Sequence, residues 1–139
     1  MRTSKDEQEA AAHFSERYGQ PSGEPLKRLE RLVLGADFGG NGYTTVEQAR
    51  LLGERLNLGP GSRLLDIGAG RGWPGLFLAQ TTACAVVLTD LPHEAMRRAQ
   101  ERAGKEALGE RTAAVVASAR RLPFRQETFD AIVHTDVLC

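Results

Sequence analysis

Cysteine is scarce in this sequence. Only Cys84 and Cys139 occur among its 139 residues, the first inside an apolar run and the second at the last position. Two such positions provide neither a disulfide framework nor the paired spacing of a metal site. We therefore expect no bound metal, and a reducing, cytoplasmic environment is the default expectation.

Long apolar runs and an excess of charge of one sign are absent too. No stretch approaches the length of a membrane-spanning helix, and residues 1–14 lack the apolar segment of a secretion signal. Eighteen basic and eighteen acidic residues cancel, and glutamates interrupt the arginine-rich stretch 92–108. Mixed charge of this kind is typical of a solvated surface, so we expect no membrane or nucleic-acid partner.

The chain divides into two parts by its residue pattern. Residues 4–18 are polar and alanine-rich, and residues 24–34 carry leucines at helical spacing, so each stretch predicts a helix. A glycine-rich loop follows them. We therefore expect residues 1–42 to form an N-terminal segment of helices and loop, and residues 43–139 to form the main ligand-binding domain.

From residue 63 onward, short apolar runs alternate with helical stretches. The apolar runs are 63–67, 84–89, 112–117 and 129–134, and the helical stretches are 73–80 and 92–108. Continuous apolar strands that alternate with helices are typical of a parallel sheet with helices on both faces. The predicted fold class is therefore α/β, with right-handed crossover connections.

Each predicted strand ends in a polar residue. In chain order these residues are Asp66, Asp90, Ser118 and His134. Ligands of open α/β sheets bind outside the carboxyl ends of the strands, so the four residues predict a ligand-binding edge. Each of them alone is also compatible with a turn or with a helix cap.

The turn after the first strand reads DIGAGRGWPG. It consists of Asp66 followed by glycines at alternate positions, Gly68, Gly70 and Gly72. Glycine permits positive φ and lets a ligand approach the backbone closely. A dinucleotide-binding turn, G-x-G-x-x-G, would need its third glycine where Trp73 stands. A carboxylate before the turn would repel a pyrophosphate and attract a cationic group, such as an α-amino group or a sulfonium.

Three blocks of sequence carry a family resemblance. LLDIGAGRGWPGLFLA (64–79) resembles the first motif of class I S-adenosylmethionine-dependent methyltransferases, and VVLTDLP (86–92) resembles the second. VVASARRLPFRQETFDAIVHTDVL (115–138) resembles the later motifs of the small-molecule, type 11/25-like branch. The resemblance covers roughly residues 40–139. It implies a Rossmann-like fold, S-adenosyl-L-methionine as cofactor, and in-line methyl transfer to a small-molecule acceptor.

The resemblance also implies roles for individual residues. Asp66 would act on the methionine amino group, directly or through water, and Asp90 would accept both ribose hydroxyls. The implied cofactor-binding residues are Tyr43, Thr45, Asp66, Gly68, Ala69, Gly70, Gly72, Trp73, Asp90, Leu91, Ser118, Ala119 and His134. Leu91 would pack on the adenine, and Ser118 and Ala119 would lie at its edge, Ala119 through its backbone. His134 and Thr135 would line the space near the sulfonium. No catalytic residue and no metal ligand is implied.

Two residues depart from the family pattern. Family members often have Asp where Ser118 stands, which accepts from the adenine amino group, and an uncharged serine accepts more weakly. Trp73 is larger than the small or polar residue often found at its position. It would either narrow the methionine pocket or shield the turn from water.

The sequence supplies four strands where the family fold has seven. The resemblance implies the strand order 3-2-1-4, with the fourth strand unpaired on its outer side, so we expect the N-terminal portion of a methyltransferase. An apolar open edge such as AIVH (131–134) favours a homodimer. Two alternatives stay open: a cofactor-binding or dimerising module without catalysis, and an NAD(P)-dependent oxidoreductase domain.

Overall fold

A four-stranded parallel sheet forms the centre of the protein. The structure, a computed structural model, describes residues 3–39 and 42–137. Its strands are β1 (Arg63–Ile67), β2 (Ala85–Asp90), β3 (Thr112–Val116) and β4 (Ala131–Val133). They lie in the order β3-β2-β1-β4, and every pair is parallel. The predicted α/β class and strand order are therefore confirmed. Cys139 lies outside the described residues.

Helices precede and connect these strands. They are α1 (Lys5–Gly19), α2 (Glu24–Leu34), α3 (Val46–Arg55), α4 (Gly75–Thr82), α5 (His93–Lys105) and a short 3₁₀ helix, Gly109–Arg111. The two helices predicted in the N-terminal segment are confirmed. None of the helices within residues 3–39 and 42–137 has the length and apolar character needed to cross a membrane.

Several predicted boundaries shift by a few residues. The helix predicted over 73–80 begins at Gly75, because the chain is still turning through Trp73. The helix predicted over 92–108 ends at Lys105, and Ala107 then adopts a left-handed φ of 58°. The strand predicted over 129–134 shortens to Ala131–Val133.

One face of the sheet is closely packed. Leu64, Val86 and Leu88 are fully or almost fully buried, and they belong to the row that includes Val133. Successive right-handed crossovers place α4 and α5 on the same side of β1, β2 and β3. The opposite face is less covered, since Ile132 of β4 is 54% exposed.

Two of the helices that precede β1 pack on the helices that cover the sheet. α1 packs along α5, and the Arg98 guanidinium of α5 donates to the carbonyl oxygen of Gly19 at the end of α1 (2.9 Å). α3 packs on α4. These contacts bring α1 to the carboxyl edge of the sheet, where the glycine turn lies.

Candidate functional site

The turn between β1 and α4 is fixed by bonds to the neighbouring strand. The backbone N–H groups of Gly68 and Ala69 both donate to the carbonyl oxygen of Thr89, at 2.7 and 3.0 Å. Gly68, Gly70 and Gly72 have φ values of 72°, 53° and 102°, which glycine adopts without strain. The turn therefore depends on its glycines for the backbone conformation that opens it toward a ligand.

Asp90 ends β2 beside this turn. Its Oδ2 accepts from the Gly70 N–H and its Oδ1 accepts from the Leu91 N–H, each at 2.8 Å. Burial raises the pKa of Asp90, and the two N–H donors oppose that rise. Each carboxylate oxygen can accept more than one hydrogen bond, so the group keeps capacity for a ligand while it is held in place.

Asp66 lies behind the turn and not at its surface. The side chain is fully buried, and its Oδ2 accepts from the Gly75 N–H (2.8 Å) at the start of α4. Its Oδ1 is buried and has no hydrogen-bond partner. Burial raises the pKa of Asp66 well above its ordinary value, and the charge of Asp90 adds to that rise. The structure therefore makes Asp66 an anchor for α4, and its side chain does not line the first cleft.

This burial predicts how stability depends on pH. Because the folded-state pKa of Asp66 is raised above the ordinary 3.8, stability is lost as pH rises from that value through the folded-state pKa. Asp66→Asn removes the ionisation and keeps an acceptor for the Gly75 N–H. We expect it to gain up to about 1.4 kcal/mol relative to wild type per pH unit in that window. Urea unfolding of both proteins between about pH 4 and about pH 8 measures this. Parallel pH profiles would contradict it.

Arg71 fastens α1 onto the glycine turn. Its guanidinium donates to the carbonyl oxygens of Arg17, Tyr18 and Gln20, at 3.2, 3.0 and 2.7 Å. It also donates to Ser22 Oγ (2.7 Å). A Cβ at Gly70 would lie 2.9 Å from the hydroxyl oxygen of Tyr18, so the tyrosine lies directly over the turn. The sequence did not single out Arg71 or Tyr18 as site residues.

A cleft of about 510 Å³ opens between the turn and α1. Its lining includes the predicted residues Tyr43, Gly68, Ala69, Gly70, Trp73 and Asp90, together with Thr135. Phe14, Arg17 and Tyr18 of α1 line its other side. A volume of this size is typical of a small-molecule site.

A second cleft, of about 570 Å³, lies at the ends of β2 and β3. Leu91 and Ser118, both predicted at the adenine, line it together with Ser4 and Glu7 of α1. Asp90 of the first cleft and Leu91 of the second are consecutive residues. The two clefts therefore follow one another along the carboxyl edge of the sheet beneath α1.

Trp73 supports the first cleft from below. It is 6% exposed, and its ring packs on Phe38 and Phe77, with centroids 4.9 and 5.4 Å away. Its Nε1 donates to the carbonyl oxygen of Thr44 (3.0 Å). Trp73 thus holds the segment before α3 against the turn. This position favours the interpretation that Trp73 shields the turn from water over the one that it narrows the methionine pocket.

The same segment is tied to the end of β4. Asp136 Oδ2 accepts from the Thr44 hydroxyl (2.9 Å) and from its N–H (3.3 Å). A Cβ at Gly42 would lie 2.0 Å from that carboxylate oxygen, so glycine permits the close approach. Tyr43 stands between these contacts and is 86% exposed.

Five predicted residues line neither cleft: Thr45, Asp66, Gly72, Ala119 and His134. Asp66 is buried behind the turn, and a Cβ at Gly72 would lie 2.5 Å from a methyl carbon of Leu76, so both positions support the turn from within. Thr45 is the N-cap of α3, and its hydroxyl oxygen accepts from the Gln48 N–H (3.2 Å). Ala119 is exposed just after the buried Ser118, and the contact expected from its backbone stays a prediction. His134 is exposed beyond β4, whereas Thr135, which was expected beside it, lines the first cleft.

Comparison with known proteins agrees with this geometry. Methyltransferase GfsG of Streptomyces halstedii is 33% identical over 79 residues, which cover 57% of this chain and 28% of that protein. A methyltransferase of Geobacter sulfurreducens, solved with S-adenosyl-L-homocysteine, is 25% identical with a TM-score of 0.53, over 66% of this chain and 36% of that one. The [4+2]-cyclase SpnF is 28% identical with a TM-score of 0.60, over 68% of this chain and 36% of that one. The matched part of this chain spans less than a third of the length of GfsG and of the other curated relatives compared with it.

The family match covers the strands and the turn that build the site. The family model described as "Methyltransferase domain" matches residues 64–139, which is more than half of the chain. The match begins in β1 and includes both carboxylates, the glycine turn and Ser118. This protein belongs to the methyltransferase-domain family.

Proposed function

We propose that this chain binds S-adenosyl-L-methionine along the two clefts and serves methyl transfer to a small-molecule acceptor. The observation that carries the proposal is the Asp90 carboxylate. It is held at the glycine turn by two backbone N–H groups and lines a ligand-sized cleft. A carboxylate so placed accepts from the two adjacent hydroxyls of a ribose, one at each oxygen.

The first cleft also suits the amino-acid end of that cofactor. The Asp90 carboxylate gives the turn acidic character, which favours an amino group or a sulfonium. Arg17 lines the same cleft and supplies the opposite charge for a ligand carboxylate. The positive φ values of the turn let a ligand lie directly on the backbone at Gly68 and Gly70. We assign Asp66 a positioning role, because its bond to Gly75 orients the start of α4.

The cofactor supplies an electrophilic methyl group when it is bound. The residues of this chain then bind the cofactor, orient it toward the acceptor and exclude water. Orientation and the exclusion of water supply most of the rate of such a displacement. Tyr43 and Thr135 line the cleft on the side away from the second cleft, where the acceptor would approach. We assign no proton-transfer residue, because a nucleophilic acceptor needs none.

The acceptor side is largely apolar, with Arg17, Glu30 and Arg71 as its charged residues. A groove of about 410 Å³ adjoins the first cleft, and Gly42, Tyr43 and Arg71 line both of them. Its remaining surface includes Leu26, Leu29 and Val33 of α2, all of them exposed. A small, largely apolar acceptor fits this groove better than a charged polymer. The balanced net charge supports the same choice.

Two further expectations, on association of two copies and on the cellular environment, complete the proposal. Ile132 on the open β4 edge is exposed, which supports pairing of two copies through that edge. Cys84 is free and buried among the described residues, which supports a reducing, cytoplasmic setting. Neither expectation is needed for the ligand site.

The function is tested by ligand-dependent stability. A ligand that binds only the folded state raises the apparent melting temperature. We expect S-adenosyl-L-homocysteine to raise it and NAD to leave it unchanged, with calorimetry giving the dissociation constant. Stabilisation by NAD alone would contradict the proposal and favour an oxidoreductase. Light scattering on the same sample measures whether two copies associate.

A further inference from the structure

Glu7 of α1 reaches the second cleft from the far end of the sequence. Its Oε1 accepts a hydrogen bond from the Ser118 hydroxyl, although 111 positions separate the two residues. The Ser118 oxygen also accepts from the Arg120 N–H (3.1 Å). The single Ser118 proton is therefore directed at Glu7, and the hydroxyl can offer a ligand only its oxygen.

The Glu7 carboxylate is fixed by its own helix. Its Oε2 accepts from the Ser4 N–H (2.8 Å), and Ser4 Oγ accepts from the Glu7 N–H (3.2 Å), which together form a capping box. At the other end of α1, Arg71 binds the last carbonyl groups. The capping box fixes the carboxylate relative to α1, and the Arg71 bonds together with the packing of α1 on α5 fix the helix itself, so that Glu7 stays at the cleft.

We propose that Glu7 supplies the carboxylate that accepts a hydrogen bond from the exocyclic amino group of the adenine ring. This inference rests on the proposed function, because it assumes the adenine occupies the second cleft. In that arrangement Glu7 provides from α1 the acidic acceptor that Ser118 does not provide from β3.

The dimensions along the carboxyl edge agree with this arrangement. A ribose held by Asp90 would direct its base past Leu91, the next residue, into the cleft lined by Ser118 and Glu7. Along α1, Phe14 lines the first cleft and Glu7 the second, and seven residues of helix advance about 10 Å. That length is on the scale of a nucleoside with its substituent.

The chemistry of the cleft selects between purines. An amino group donates only, and a carboxylate accepts only, so the two are complementary. The Ser118 hydrogen bond lowers the pKa of Glu7, which keeps the group ionised at neutral pH. A 6-oxo purine would instead place a carbonyl oxygen against this carboxylate, and the two acceptors would repel each other.

The test compares two ligands that differ at this one group. Calorimetry measures the binding of S-adenosyl-L-homocysteine and of S-inosyl-L-homocysteine, in which an oxo group replaces the amino group. We expect wild type to prefer the adenosyl ligand by about tenfold or more. In Glu7→Gln the preference should fall to about threefold or less, because an amide can also donate to the oxo group.

A matched control and a rescue separate recognition from helix stability. Glu9→Gln alters an exposed acid on the same helix, which forms an i,i+4 ion pair with Lys5 and does not line the second cleft, and it should keep the preference. Ser118→Asp in the Glu7→Gln background returns a carboxylate to the cleft and should restore it. A purely structural role for Glu7 would weaken both ligands equally and leave their ratio unchanged.

The outcomes are distinguishable. If Glu7→Gln keeps the wild-type preference, or binds the adenosyl ligand more tightly, the role of Glu7 is wrong while the cofactor site stands. If wild type binds both ligands equally, the role of Glu7 in adenine recognition is again wrong, while the cofactor site stands. If wild type binds neither ligand, the proposed function and the inference fail together.

Discussion

Asp90→Ala is expected to weaken the binding of S-adenosyl-L-homocysteine by about tenfold or more. The loss of a charged hydrogen bond costs about 1.5–3 kcal/mol, which corresponds to this range. The variant also frees the N–H groups of Gly70 and Leu91, which the carboxylate holds in the folded protein. Isothermal titration calorimetry on the purified chain measures the effect directly.

Two further variants separate ligand contact from support of the turn. Asp90→Asn keeps one oxygen to accept from Gly70 or Leu91 but loses the charge, so its affinity should fall between wild type and Asp90→Ala. Asp130→Ala is the control, because Asp130 accepts from the Arg63 N–H (2.7 Å) at the amino end of β1. Its affinity for S-adenosyl-L-homocysteine should match wild type. An unchanged affinity in Asp90→Ala would contradict the ribose role.

Gly75→Ala is expected to destabilise the protein by about 2–3 kcal/mol, the upper part of the range of about 1–3 kcal/mol for overpacking a close-packed core. A Cβ at this position would lie 2.5 Å from a methyl carbon of Leu88 and 2.7 Å from Asp66 Oδ2. Both neighbours are fully buried and cannot move aside freely. The new methyl group would also disturb the bond from the Gly75 N–H to Asp66. Urea denaturation followed by circular dichroism measures the loss.

Gly104→Ala makes the same substitution in a different setting. Gly104 lies in α5 and no atom stands within 4 Å of a Cβ built there. Alanine favours a helix over glycine by about 0.8–1 kcal/mol, so this variant should be more stable than wild type. Equal effects of the two substitutions would show that helix propensity, and not the contact with Leu88, controls stability at Gly75.

Much of the fold follows from local sequence patterns. The run RLLDI and the residues at 85–90 form strands because apolar, β-branched stretches of that length suit a buried parallel sheet. Thr45 and Gln48 form a capping box, and such a box depends only on residue types three positions apart, since both bonds lie within one turn. The ends of α5 and β4 were less predictable. The left-handed backbone at Ala107 follows the end of α5, and packing at the sheet edge sets the length of β4.

The ligand edge was predictable only in part. Asp90 and the glycine turn lie where strand order and turn chemistry place them. The sequence did not reveal that Asp66 faces inward, because whether a strand-end carboxylate turns to the ligand or to the helix depends on packing at Gly75. It also did not reveal Glu7, Tyr18 or Arg71. Their contacts join residues about 50 or more positions apart, and no short-range pattern encodes them.

The four bonds donated by Arg71 make the beginning of the chain part of the ligand site. Without α1 and the residues up to Ser22, a half-buried guanidinium between two glycines would lose its acceptors, and the backbone beneath it would be free to rearrange. A deletion or a bulky fusion at the amino terminus would therefore disturb cofactor recognition as directly as a substitution in the loop itself. Residues that lie earliest in the chain thus determine the shape of a loop that is translated some fifty codons later.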